Sequence, residues 1–167
     1  MNIQTPLTAP KDAKALYDRD FAEWLHGQAK ALSARDIQKL DWENLAEEIR
    51  CMGDNLRREL VSRLRVLMIH VIELRLSRSE RPRAGWRRTI RIQRTEIADL
   101  LENNPSLRRH LPDLPGRLFP DACAIALDAL EDHEPALNAE YRMTAGTLDP
   151  ESPETLLDRD WFPPLPE

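Results

Sequence analysis

Apolar residues recur between Asp54 and Arg78 at Leu56, Leu60, Leu64, Leu67, Val71 and Leu74, in steps of four, four, three, four and three. This period predicts one stripe of a long central helix over about 54–78. Val61, Met68 and Ile72 widen the stripe, so the middle turns are apolar around most of their circumference. His70 is the polar exception inside them.

Upstream, Tyr17, Phe21, Trp24 or Leu25, and Gln28 predict a helix from near Asp18 that fades after Leu32. Ser33 with Asp36 reads as the cap of the next stretch, which carries Ile37, Leu40, Leu45, Ile49 and Met52 and breaks near Asp41. Leu45, Ile49 and Met52 fall on one stripe, with Asn44, Glu48 and Cys51 on its flank. Gly53-Asp54 reads as a stop and a fresh cap, leaving a sharp reversal and a bent continuation both open.

Downstream, Ser79-Glu80-Arg81-Pro82 is a break. Trp86, Ile90, Ile97, Leu100 and Leu101 then predict a helix over about 84–103, antiparallel to the central one. Asn104 is expected to cap a short turn opened by Pro105. Pro112, Pro115, Gly116 and Pro120 argue against one smooth helix through 111–122, whereas 121–131 is strongly helical with Cys123, Leu127 and Leu130 on one side. Residues 134–151 read as loop, and Ser152-Pro153-Glu154 starts a short helix through Leu157. Trp161, Phe162 and Leu165 lie in a Pro-rich C-terminal tail. The expectation is therefore an all-α helical bundle over 16–133, a flexible lead over 1–15, and a segment over 134–167 that docks on the bundle.

Composition agrees, with five glycines in 167 residues and many Leu, Arg, Glu and Ala. The net charge of −5 is unevenly spread. Between Arg57 and Arg94, twelve arginines face three glutamates, which is +9 and leaves −14 elsewhere. Such asymmetry fits an anionic partner, or acidic helices packed beside a basic one in the same fold. Cys51 and Cys123 are too few for a disulfide framework. Residues 1–15 lack the apolar run of a signal peptide, and 66–72 falls far short of the ~20 residues of a membrane span. No membrane and a cytoplasmic location are expected.

Several motifs together resemble a known family. They are Leu16-Tyr17-Asp18-Arg19-Asp20-Phe21 with Trp24, and Asp41-Trp42-Glu43-Asn44-Leu45-Ala46-Glu47-Glu48-Ile49 followed by Met52-Gly53. Ser62-Arg63-Leu64 leading to His70, Trp86 with Thr89-Ile90 and Gln93-Arg94, and Pro105-Ser106-Leu107 continue the series. It closes on Thr155-Leu156-Leu157-Asp158 and Asp160-Trp161-Phe162-Pro163. Over about Leu16–Phe162 the chain resembles the bacterial domain-of-unknown-function family 29. It departs at Val71-Ile72-Glu73, where that family often has Leu-Leu-Lys, and at Ser152-Pro153, where it often has Cys-Pro. The resemblance implies a fold like a four-helix bundle and no assigned activity.

Asn44, Glu48, His70, Gln93 and Arg94, with Arg63, are polar residues in otherwise apolar places. Left unpaired in a core, each would cost ~1–3 kcal/mol, so a polar core network is expected. A sharper reading makes Glu48 a base and His70 a proton carrier in a hydrolase. No Gly-rich phosphate loop or Ser-His-Asp pattern accompanies them. Glu23-Trp24-Leu25-His26 supplies one Glu-x-x-His unit of a di-iron site and nothing supplies a second, so no metal and no cofactor are expected. His26 and His133 read as exposed or near helix C-termini. Arg83, Arg87, Arg88, Arg91 and Arg94, beside Trp86, are the anion-binding candidates, for nucleic acid among other ligands. The leading functional expectation is a non-enzymatic protein-interaction or self-associating module, a homo-oligomer or a partner of another protein. Anion or nucleic-acid binding is the alternative, and a hydrolase ranks behind both.

Overall fold

A computed structural model describes residues 11–133, 135–164 and 166. Residues 1–10 of the expected lead, and Leu165 of the tail, lie outside them. Among the described residues the chain is all-α, as the periodicity predicts. Its helices are α1 (Lys11–Arg19), α2 (Phe21–Ser33), α3 (Trp42–Leu76), α4 (Glu80–Asn103), α5 (Leu114–His133), α6 (Asn138–Ala145) and α7 (Pro153–Leu157). Short 3₁₀ segments cover Ile37–Lys39, Pro105–Asp113 and Pro135–Leu137. Among the described residues, no helix is long and apolar enough to cross a membrane. The chain divides into two compact units, residues 1–55 and 56–167.

In the first unit, helix begins at Lys11 rather than near Asp18, so residues 11–15 of the expected lead are helical. A break comes at Asp20, whose carboxylate accepts from the Glu23 backbone N–H and caps α2. Ser33 does not cap the next stretch. It ends α2, and its hydroxyl donates to the Ala29 carbonyl. The terminus is a Schellman motif, in which the Asp36 N–H bonds the Ala31 carbonyl and the Arg35 N–H bonds that of Leu32. Arg35 takes the left-handed position there, at φ 54°, where glycine is the usual residue.

Asp41 is fully buried and starts α3. Its carboxylate accepts from the Asn44 side-chain amide at 2.7 Å and, more distantly, from the Asn44 backbone. Buried Gln28 clamps the approach to it, accepting from the Asp41 N–H at 2.8 Å and donating to the Lys39 carbonyl at 3.3 Å. Trp24, Ala31 and Leu40 form the apolar centre of the unit, with Phe21 stacked on Trp24 and Tyr17 edge-on to both rings.

Gly53 does not stop the helix, and α3 continues through it to Leu76. Glycine costs roughly 1 kcal/mol against alanine inside a helix, too little to end one whose later turns are packed. In the second unit the expected stripe is the core: Leu60, Leu64, Leu67, Val71 and Leu74 are buried, with Met68 and Ile72 beside them. α4 starts one turn earlier than its apolar pattern suggests. Pro82 falls in the first turn, where no intrahelical N–H bond is needed. Ile90, Ile97, Leu100 and Leu101 join the same core. Arg63 pairs with Glu96 at 3.2 Å, and the two stand nearly equally far from the link at Ser77–Ser79, so α3 and α4 form an antiparallel hairpin.

Asn104 stands at the N-cap of the turn opened by Pro105, as expected, its carbonyl accepting from the Leu107 N–H, but its side chain does not cap that turn: the backbone and side-chain N–H groups both donate back to the Leu100 carbonyl and close α4. The prolines after residue 111 do not break the chain where their spacing suggests. Pro115 sits in the first turn of α5, and the helix carries Pro120 in its interior. Leu114, Leu118, Ala122, Ala126 and Leu130 are all buried along it, and this packing outweighs the hydrogen bond that Pro120 removes. α6 contributes Tyr141, and α7 contributes Leu156. The cap expected at Ser152 is present, its hydroxyl accepting from the Thr155 N–H.

Candidate functional site

Among the described residues, the polar residues singled out in the sequence do not pair with one another. Asn44 serves the Asp41 cap. Glu48 accepts a hydrogen bond from the Tyr17 hydroxyl, and this pushes the Tyr17 pKa up to about 12 because the phenolate would face a carboxylate. His70 meets buried Glu73 through Nδ1, three residues along α3. Arg63 pairs with Glu59 and Glu96. Gln93 is half-buried with no side-chain hydrogen bond among the described residues. Glu48 belongs to the first unit and His70 to the second, each with its own local partner. Among the described residues, no group of three or more His, Cys, Asp or Glu could hold a metal ion. His26 is exposed, and His133 is the last residue of α5.

Arg94 is the residue with the most consequential position. Only 2% exposed, it lies beside the core stripe of α4 and reaches across to the tail. Nε donates to the Leu156 carbonyl and Nη1 to the Trp161 carbonyl, each at 2.7 Å, with a longer contact to the Arg159 carbonyl. The tail thus passes over α4 as a strap, with Trp161 and Phe162 half-buried against the core. The guanidiniums of Arg87, Arg91 and Arg94 stand 5.2–5.4 Å from the Phe162 ring centre, an arrangement stabilised by the ring quadrupole.

At 100° per residue Arg83, Arg87, Arg91 and Arg94 fall within about 80° of arc on α4, whereas Arg88 points well away from them. Arg83, also buried, donates to the Ser77 carbonyl at 2.6 Å. Burial pushes the pKa of both Arg83 and Arg94 below the usual arginine value. For Arg94, Asp158 opposes the shift and Arg91 adds to it; for Arg83, Arg87 adds and Glu80 opposes. Of the candidates, then, the structure brings together Arg83, Arg87, Arg91 and Arg94 and sets Arg88 apart. It adds Arg159, which is not among the candidates drawn from the sequence. The charged run Asp158-Arg159-Asp160 next to the tail aromatics is the signal that could have found it.

The first unit presents a different surface. Ile49 and Met52 are each 67% exposed, although their stripe with Leu45 has the spacing of a core face. Phe21, Leu25, Leu32, Ile37 and Trp42 are also exposed.

The family model described as Domain of unknown function DUF29 matches residues 16–162, and the chain belongs to that family. No curated protein and no solved structure matches it.

Proposed function

As a member of a family with no assigned activity, the chain inherits no chemistry, and we propose that it is a protein-interaction module working through its first unit. One observation carries this reading. Of the ten large apolar side chains exposed among the described residues, seven lie between Phe21 and Met52. Six of them are ordered along the helices: Phe21, Leu25 and Leu32 fall within about 40° on α2, and Trp42, Ile49 and Met52 within about 80° on α3, with half-buried Leu45 on the same arc. An apolar helical stripe is normally buried, and a concentration of exposed ones marks an interaction surface.

A second copy of the chain is the simplest occupant, because an isologous contact lets each stripe cover its equivalent. Light scattering across a concentration series tests this. The wild type is expected to exceed the monomer mass as concentration rises, and Ile49→Glu/Met52→Glu to stay monomeric with unchanged helicity. A wild-type monomer at every concentration, combined with no protein recovered on immobilised wild type that the double variant fails to recover, rejects the reading.

A further inference from the structure

We propose that the arginine row of α4 and the strap form a binding site for a compact ligand bearing two or more phosphate-type oxyanions. One group would lie in the pocket lined by Arg91, Arg94, Thr95 and Arg159, and the next in the adjoining pocket lined by Arg83, Ala84, Arg87 and Arg91, with one carboxylate, Glu80, at its edge. This site is independent of the apolar surface of the first unit.

Uncancelled charge is the first support. Arg83 and Arg94 are more than nine-tenths buried, yet the acceptors that hold them are main-chain carbonyls rather than carboxylates. A carbonyl satisfies the N–H geometry and leaves the positive charge in place. Among the described residues, none of Arg83, Arg87, Arg91, Arg94 and Arg159 forms an ion pair. Elsewhere on the same unit, arginines do find carboxylates, as Arg63, Arg75 and Arg142 show. The opposing groups are Asp158, which acts on Arg94, Glu80, which acts on Arg83, and Glu102, which shares a neighbouring pocket with Arg94 and Arg159.

Unspent donors are the second support. Nη2 of Arg83, Nε of Arg87 and Nη2 of Arg94 are each buried without a hydrogen-bond partner. A buried unpaired donor is costly, and three in one row are uncommon unless something completes them. Guanidinium forks match the oxygens of phosphate, and Arg91 and Arg159, both exposed, line the same pocket from two different elements, α4 and the strap.

The size of the ligand is set by the surroundings of the row. Arg83 to Arg94 spans about 16 Å of helix, enough for a short chain of phosphates. The chain outside 57–94 carries −14, so a long polyanion running off the row meets repulsion. Single-stranded nucleic acid also wants free aromatic faces to stack on. Phe162 has three guanidiniums against its ring, and Trp161 is packed with the core. A compact oligophosphate needs neither length nor a stacking platform.

Calorimetric titration of the full chain at low salt, with inorganic phosphate, pyrophosphate, tripolyphosphate and a single-stranded oligonucleotide, tests the proposal. Affinity is expected to rise at least tenfold from phosphate to tripolyphosphate and to fall with added salt. Arg91→Gln and Arg159→Gln, both at exposed positions, are expected each to weaken tripolyphosphate binding about tenfold. Arg117→Gln on α5 removes the same charge elsewhere and is expected to change it less than about twofold. No binding of any probe overturns the proposal, as does equal weakening by all three variants, which would indicate a diffuse charge effect. Tighter binding of the oligonucleotide than of tripolyphosphate overturns it in favour of nucleic acid.

Discussion

Replacing Arg94 by methionine removes the guanidinium and keeps most of the stem that packs beside the core. Two 2.7 Å hydrogen bonds from a charged donor to the Leu156 and Trp161 carbonyls disappear. Bonds of this kind contribute about 1.5–3 kcal/mol each, or roughly 3–6 kcal/mol together before any compensation. Compensation comes from two sources: the freed carbonyls regain water if the strap lifts, and the cost of burying a charge is removed. A net loss of about 2–4 kcal/mol remains, concentrated on the strap. Hydrogen exchange at the Asp158 and Asp160 amides, which are bonded within the strap, reads this directly. Protection is expected to fall about 30- to 1000-fold, since each 1.4 kcal/mol is a factor of ten. Arg94→Lys keeps the charge and cannot bridge two separated carbonyls, so it is expected to restore less than half of the loss. If both variants leave strap exchange at the wild-type rate, the guanidinium is not what holds the tail.

Other expectations rest on single sites. Leu67→Ala, at a fully buried position in the centre of the α3 stripe, is expected to cost about 2–5 kcal/mol in urea unfolding of the second unit; a loss under about 1 kcal/mol would contradict that placement. Arg35→Gly relieves a left-handed φ at the end of α2 and is expected to gain up to about 1 kcal/mol, read as a shift in the unfolding midpoint. The folded pKa of Tyr17 lies above the ordinary phenol value of 10.0, so the contribution of its bond to Glu48 is intact below pH 10 and is lost as pH rises toward about 12. An ultraviolet titration should show this late phenolate step in the wild type and lose it in Tyr17→Phe. A step near pH 10 in the wild type, absent from the variant, would mean that Glu48 does not hold the phenol.

The resemblance carried by the scattered motifs was enough to place the chain in its family over nearly all of its length. The candidate site was legible only in part. Arg83, Arg87, Arg91 and Arg94 could be picked out from the sequence, and helical spacing alone separates them from Arg88, but that the strap covers their side of α4 could not be read there. The apolar pattern does not single out Glu73, and the fold buries it beside His70. Asp41 is marked in the sequence only by a break, and Gln28, thirteen residues earlier, closes over it.

The core was determined locally. Steps of three and four put Leu60, Leu64, Leu67, Val71 and Leu74 on one side of a helix whatever that side meets, and all five are buried. The same spacing at Leu45, Ile49 and Met52 leaves Leu45 half-buried and the other two in solvent, because periodicity defines a face and says nothing about what covers it. Gly53 and Pro120 show the matching limit on breaker residues, whose cost of about 1–3 kcal/mol gives way to packing. Least legible was the contact between Arg94 and Trp161, across 67 positions of chain. Only the tertiary structure decided it, since no local rule connects a helix interior to a strap that returns from the far end of the chain.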